Sequence, residues 1–140
     1  MTALSDEVRA LLDRPNFAHL ATLMADGAPH VDPVWVGRDG DLVLVGTGES
    51  TLKAMNSDRD SRVALSVVDF DNPYEEAQIR GRVVERRLDE GFTLMDPISV
   101  KYTGAPFPLR DPAGRVVLVI EADRVRYVTL PFQHTPGAQS

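Results

Sequence analysis

The chain has 140 residues, a formal net charge of −6 and a pI near 5.0, which is one domain's worth of sequence and enough to bury a core without staples. Such acidity argues against nucleic acid or an anionic membrane surface as the main partner, and no apolar run approaches the length of a membrane span. The absence of cysteine excludes a disulfide scaffold, a thiol nucleophile and any cysteine-ligated metal, and the expected setting is a reducing cytoplasm with no export leader.

Residues 5–14 open with a capping serine and acidic first-turn residues. They space Val8, Leu11 and Leu12 at i, i+3 and i+4 before Pro15 stops the pattern. This predicts a short amphipathic helix, within residues 1–15, over one end of a sheet. Residues 17–24 and 29–36 flank the turn signal Ala25-Asp26-Gly27-Ala28 and predict a hairpin. Asp39-Gly40 marks a second turn. Residues 42–45, apolar at every position, then predict a strand buried on both faces, so a three-stranded meander is expected.

That strand runs into Gly46-Thr47-Gly48-Glu49-Ser50-Thr51, where an apolar strand ends in a polar turn and a short helix begins. Gly46 and Gly48 allow close backbone approach, Ser50 and Thr51 are helix caps with hydroxyl donors, and first-turn amides are free. Lys53, one of only two lysines with Lys101, adds a point charge. The pattern describes a place to hold an anion, or an ordinary capped connection. It lacks the GxxxxGK[ST] spacing of a nucleotide P-loop and names no ligand by itself.

A helix over 51–56, a solvated turn over 57–61, a strand over 62–68 and a loop over 69–73 follow. Residues 76–86 alternate, with Ile79, Gly81 and Val83 on one face and Arg80 and Arg82 on the other, toward solvent, a ligand or a second subunit. Two helical pieces are predicted at 89–95 and 97–102, with Asp96 as cap of the second, Pro97 at its first position and Gly104 past its end. After a rigid extended loop at 105–108, residues 115–128 form a long strand whose alternation weakens at Ala122-Asp123, predicting a bend. The tail 131–140 is expected to be mobile. Six strands in hairpin succession with short helices predict one mainly β domain over 1–140, an antiparallel barrel with helical plugs.

Acid–base and metal chemistry find little support in the residues. His19 and His30 lack HxH, HxxxH or HExxH spacing, no GxSxG elbow exists, and the adjacent Glu75 and Glu76 point to opposite faces of a strand. Trp35, the only tryptophan, reads as core or interface packing.

Three stretches taken together resemble the pyridoxamine 5'-phosphate oxidase-like split-barrel family: 19–23 (His-Leu-Ala-Thr-Leu), 26–36 (Asp-Gly-Ala-Pro-His-Val-Asp-Pro-Val-Trp-Val) and 48–56 (Gly-Glu-Ser-Thr-Leu-Lys-Ala-Met-Asn). With Asn72-Pro73-Tyr74, Ile79-Arg80-Gly81-Arg82-Val83, Lys101-Tyr102-Thr103-Gly104 and Arg124-Val125-Arg126-Tyr127, they are most similar to its actinobacterial branch, which uses the deazaflavin coenzyme F420. The resemblance implies a six-stranded split β-barrel and a homodimer with the cofactor at the interface. It also implies a cofactor ring edge lined by Asp32, Pro33, Val34, Trp35 and Val36, and a ribityl chain and phosphate held by Gly46, Thr47, Ser50, Thr51, Lys53 and Asn56. Two positions depart from the family pattern: Leu52 stands where flavin binders commonly carry arginine before the lysine, and Glu76 where relatives often have an aromatic or amide reaching the partner's cofactor. The implied activity is F420-dependent hydride transfer to or from an unsaturated small molecule, with no catalytic side chain and no metal. The alternatives are an FMN-dependent oxidase or reductase, or a protein that binds flavin, F420 or a tetrapyrrole without turnover.

Overall fold

Ser5 caps the first helix, α1 (Asp6–Asp13), its hydroxyl accepting from the Val8 amide at 3.3 Å, and the helix buries Val8, Leu11 and Leu12. In this computed structural model, which describes residues 1–137, seven strands follow: β1 (Ala18–Leu23), β2 (Pro29–Val34), β3 (Gly37–Asp39), β4 (Leu42–Gly48), β5 (Arg62–Val68), β6 (Glu75–Leu88) and β7 (Arg115–Thr129). Two more helices, α2 (Leu52–Arg59) and α3 (Met95–Thr103), complete the elements. The end of the tail, 138–140, expected to be mobile, lies outside the described residues. Among those residues no helix is long and apolar enough to cross a membrane.

All pairings are antiparallel, in the order β2-β1-β5-β6-β7-β4-β3. β2 and β3 occupy opposite edges of the sheet, yet only Trp35 and Val36 separate them in sequence, so the sheet is rolled into a split barrel. This corrects the expected meander. β2 does not pair with β4, because the chain crosses from one edge to the other at Trp35-Val36. β4 instead lies between β3 and β7, with Gly48 opposite Arg115. β3 is a seventh strand, three residues long, that the six-strand expectation lacked.

The barrel interior is filled by α1 and by inward residues such as Leu20, Val43, Val45, Ile79 and Ile120. Burying each such side chain contributes roughly 1.5–3 kcal/mol. On its other face β4 presents Leu44, which packs with Val117, Val119 and Ile98 of α3, so this strand is buried on both sides as expected. The bend at Ala122-Asp123 is a bulge: Arg80 faces Arg124 and Gly81 faces Ala122, leaving Asp123 without a partner on β6. Gly81 is required there, since a Cβ would lie 2.1 Å from the Glu121 carbonyl oxygen.

Two helix boundaries differ from expectation. The polar run 57–59 continues α2 because the Ser57 hydroxyl donates to Lys53 O at 2.7 Å and Arg86 donates to Ala54 O and, in the helix's C-terminal half, to Ser57 Oγ. Residues 89–94 form turns, and Asp96 lies inside α3 instead of capping it. The cap is Asp89, whose carboxylate accepts from the amides of Leu94 and Met95 at 2.9 and 3.0 Å. Gly104 ends the helix with φ 80°, as its position predicted.

Candidate functional site

The strand-to-helix turn is built by hydroxyls that satisfy one another. Thr51 caps α2 by accepting from the Ala54 amide at 3.4 Å, donates to Gly48 O at 3.0 Å, and meets the Thr47 hydroxyl at 2.9 Å. With the Thr51 proton committed to Gly48, Thr47 is the donor in that last contact. The amides of Leu52 and Lys53, at the first turn of α2, have no intrahelical partner and point along the positive end of the helix dipole.

Lys53 reaches from α2 to β2, where its Nζ lies 3.1 Å from Asp32 Oδ2. The pair is mostly covered, with the lysine side chain 16 % and the aspartate 29 % exposed. The other carboxylate oxygen, Asp32 Oδ1, is buried and accepts no hydrogen bond among the described residues.

Beside this pair lies a cleft of about 360 Å³. Pro33, Val34 and Trp35 line it from the β2 crossing, and Gly46, Thr47, Thr51 and Lys53 from the turn. One end is aromatic. Trp35 stacks on Tyr102 with ring centroids 5.2 Å apart and planes at 6°, and meets Phe107 edge-on at 6.3 Å. Phe17 joins the same wall, 5.7 Å from Tyr102. Behind the wall, the Tyr102 hydroxyl accepts from the Val36 amide at 3.1 Å and donates to Asn16 O, which fixes the crossing that carries Trp35. Lys101 donates to Leu12 O and Val36 O, clamping α1, the crossing and α3 together, and burial brings its pKa down to about 8.

Not every residue singled out in the sequence faces this cleft. Val36 is wholly buried in the barrel core and offers only its backbone, to Tyr102 and Lys101. Asn56 is buried on the other side of α2, donating to Thr22 Oγ1 at 3.1 Å and accepting from Arg59 at 2.9 Å, so it fastens the helix to β1. Ser50 is exposed at the turn, Glu76 is half-buried at the start of β6 away from the cleft, and Asp32 stands behind Lys53. Gly46 has a packing reason for its identity, because a Cβ would lie 2.5 Å from Met95 Sδ.

Four cleft residues escaped the sequence reading, Phe17, Met95, Phe107 and Arg115, and the last carries a charge. Arg115 enters β7 opposite Gly48, and its guanidinium carbon lies 4.9 Å from the Phe107 ring centroid. Its Nε is buried and finds no acceptor among the described residues. No signal in the sequence marks it, because the β4–β7 pairing that brings it to the turn is a long-range contact.

Two larger grooves, of about 610 and 510 Å³, lie on the outward face of β1, β5, β6 and β7. Arg80 and Arg82 both point there, Arg82 paired to Asp123 at 3.2 Å. The smaller cleft is the better candidate on chemistry: it joins a capped helix start, two cations and an aromatic wall, whereas the grooves are lined by strand residues of one sheet face. Among the described residues no group of His, Asp and Glu is placed to hold a metal ion.

A family model described as pyridoxamine 5'-phosphate oxidase matches residues 4–129. No curated protein sequence matched. A solved structure named F420 reductase shares 30% identity over 88% of this chain and 98% of its own, with a TM-score of 0.80. A conserved hypothetical protein from Mycobacterium tuberculosis is similar at 23% identity, covering 97% of this chain and 94% of its own, with a TM-score of 0.77. A Listeria innocua protein with a provisional pyridoxamine 5'-phosphate oxidase designation aligns at 21% identity over 87% of this chain and 95% of its own, with a TM-score of 0.66, which speaks to the fold alone. The family match spans nearly the whole chain, and the split barrel agrees with it: this chain belongs to the pyridoxamine 5'-phosphate oxidase family.

Proposed function

We propose that the protein is an F420-dependent oxidoreductase of the cytoplasm that passes a hydride between the deazaflavin and an unsaturated small molecule. The observation that carries this is the cleft, which sets two cations, Lys53 and Arg115, beside an aromatic wall of Trp35 and Phe107. A flat ring with an anionic tail matches both features. The donor set fits the group: Arg115 Nε lacks an acceptor among the described residues, and the Leu52 and Lys53 amides are free at the helix start. Deazaflavin is favoured over FMN by two considerations. The neighbour named F420 reductase is 30% identical over most of both chains. In addition, Lys53 is already offset by Asp32, leaving one uncompensated cation in the cleft, which suits the singly charged phosphodiester of F420 better than the doubly charged phosphate of FMN.

When bound, reduced F420 supplies the hydride. The chain's own residues bind and orient. Trp35, backed by Tyr102 and flanked by Phe107, offers an apolar surface that excludes water from the ring's surroundings, and Arg115 with the free amides at the start of α2 anchors the tail. Neither cation is placed as an acid–base group, so the protein's contribution is placement and electrostatics.

The proposal includes a homodimer. Leu52 and Met55 of α2 expose 44 and 47 % of their surface, and Val31, in the larger groove of the sheet, exposes 60 %, apolar surface that a second copy would cover. Sedimentation is expected to find a dimer at micromolar concentration; a monomer with full cofactor affinity would remove the shared site. Function is tested by mixing the protein with reduced F420 and, separately, reduced FMN, against a panel of enones, quinones and tetrapyrroles, following cofactor oxidation by absorbance. Turnover with F420 and not with FMN is expected. Turnover with FMN alone selects the flavin enzyme, and tight F420 binding without turnover on any acceptor makes the protein a carrier.

A further inference from the structure

Arg115 has no carboxylate within ion-pair distance among the described residues, whereas Lys53 does. The two cations of the cleft are therefore not equivalent. Lys53 and Asp32 form a neutral pair that ties α2 to β2. Arg115 is an uncompensated charge whose Nε–H is buried without an acceptor, an arrangement that costs stability unless something else repays it. The same guanidinium is oriented. Its carbon lies 4.9 Å from the Phe107 ring centroid, and the residue's backbone is pinned by donation to Pro112 O at 3.2 Å and by acceptance from the Asp89 amide at 3.1 Å. A planar fork held at the mouth of a helix start is suited to two parallel hydrogen bonds to a phosphate.

We propose that Arg115, and not Lys53, is the principal phosphate-binding side chain of the cleft. This rests on the cofactor reading above and goes beyond the strand-to-helix turn, where the family resemblance puts the anion. Lys53 then serves mainly to hold Asp32 and the α2–β2 contact, and the site's net charge of one comes from Arg115.

The test compares F420 with its phosphate-free core, the same ring and ribityl chain without the tail, by equilibrium titration. Arg115→Gln is expected to weaken F420 binding roughly ten- to a hundred-fold, the range for losing a charged hydrogen bond, while leaving the phosphate-free core bound as before. The charge-neutral double variant Asp32→Asn/Lys53→Gln is expected to change F420 affinity by less than about threefold, because it removes a self-compensated pair. Arg115→Lys, which keeps the charge and most of the stem, guards against misfolding and is expected to fall between parent and Arg115→Gln. Equal losses for F420 and the phosphate-free core in Arg115→Gln, or a larger loss in the double variant, would overturn the proposal and leave the cofactor reading standing. If the parent binds neither form, the cofactor reading is lost, and the decision passes to inorganic pyrophosphate. A rise in thermal midpoint for the parent that vanishes in Arg115→Gln would still support an anion site at Arg115, and no rise in either would overturn it.

Discussion

Lys53 and Lys101 are the chain's only lysines, each on a helix that borders the cleft, and their surroundings differ in kind. Lys53, near the start of α2, faces a carboxylate at 3.1 Å. Lys101, in the last turn of α3, faces the carbonyls of Leu12 and Val36 and the edge of Tyr102's environment, with its ammonium 4.9 Å from that ring. Carbonyl oxygens carry only partial charge, so burial dominates at Lys101, whose pKa is brought down to about 8 despite the distant help of Asp13. One lysine is electrically settled beside the cleft, and the other holds three elements together at the cost of a desolvated charge. The residue nearer the cleft is thus not automatically the one that supplies its field.

The comparison breaks first if Lys101 is not a clamp. Lys101→Met deletes the donors to two carbonyls and is expected to lower folding stability by about 2 kcal/mol, with part of the loss offset by removing a desolvated ammonium. Urea denaturation measures it, and an unchanged midpoint would mean the two carbonyls find water. Tyr102→Phe removes the hydroxyl that joins Val36 N to Asn16 O. It is expected to cost about 1–2 kcal/mol while keeping the Trp35 stack, so the fluorescence of the single tryptophan should shift little.

A pH series sharpens the contrast. Lys101 has a folded-state pKa near 8 and an ordinary unfolded value of 10.5, so between these the unfolded chain binds more protons. Stability contributed at this site therefore rises as pH increases from about 8 toward 10, and the rise is expected to be missing in Lys101→Met. The smallest effect on stability belongs to the other lysine. Asp32→Asn/Lys53→Gln is expected to change stability by less than about 1 kcal/mol, because in a mostly covered pair the cost of desolvating two charges offsets their attraction.

The turn at the cleft was legible in the sequence because its signals are local: glycines, a threonine cap and a lysine within one stretch. The same holds for the Ser5 cap, the Gly27 hairpin and the bend at Ala122-Asp123, where a bulge breaks strand alternation. What escaped was set by contacts distant in sequence. β3 is only Gly37-Arg38-Asp39, too short to show a period, and exists because Trp35-Val36 carries the chain across the barrel to β4. Residues 57–59 read as turn because they are polar, but Arg86 from β6 holds the helix there. Asp89 caps α3 from outside the helical pattern, which concealed the true start at Met95. Arg115 reaches the cleft only through the β4–β7 register, and Asn56, read as a ligand contact, instead turns its amide toward Thr22 because α2 lies against β1.

The most direct measurement is a side-by-side titration of the parent protein with F420 and FMN at fixed ionic strength, read by quenching of Trp35, which lines the cleft and is the only tryptophan. A cleft with one net positive charge and an aromatic wall is expected to bind F420 roughly tenfold tighter than FMN or better, a difference of about 1.4 kcal/mol. FMN binding as tight as F420, or tighter, would contradict the assignment of this cleft to the deazaflavin.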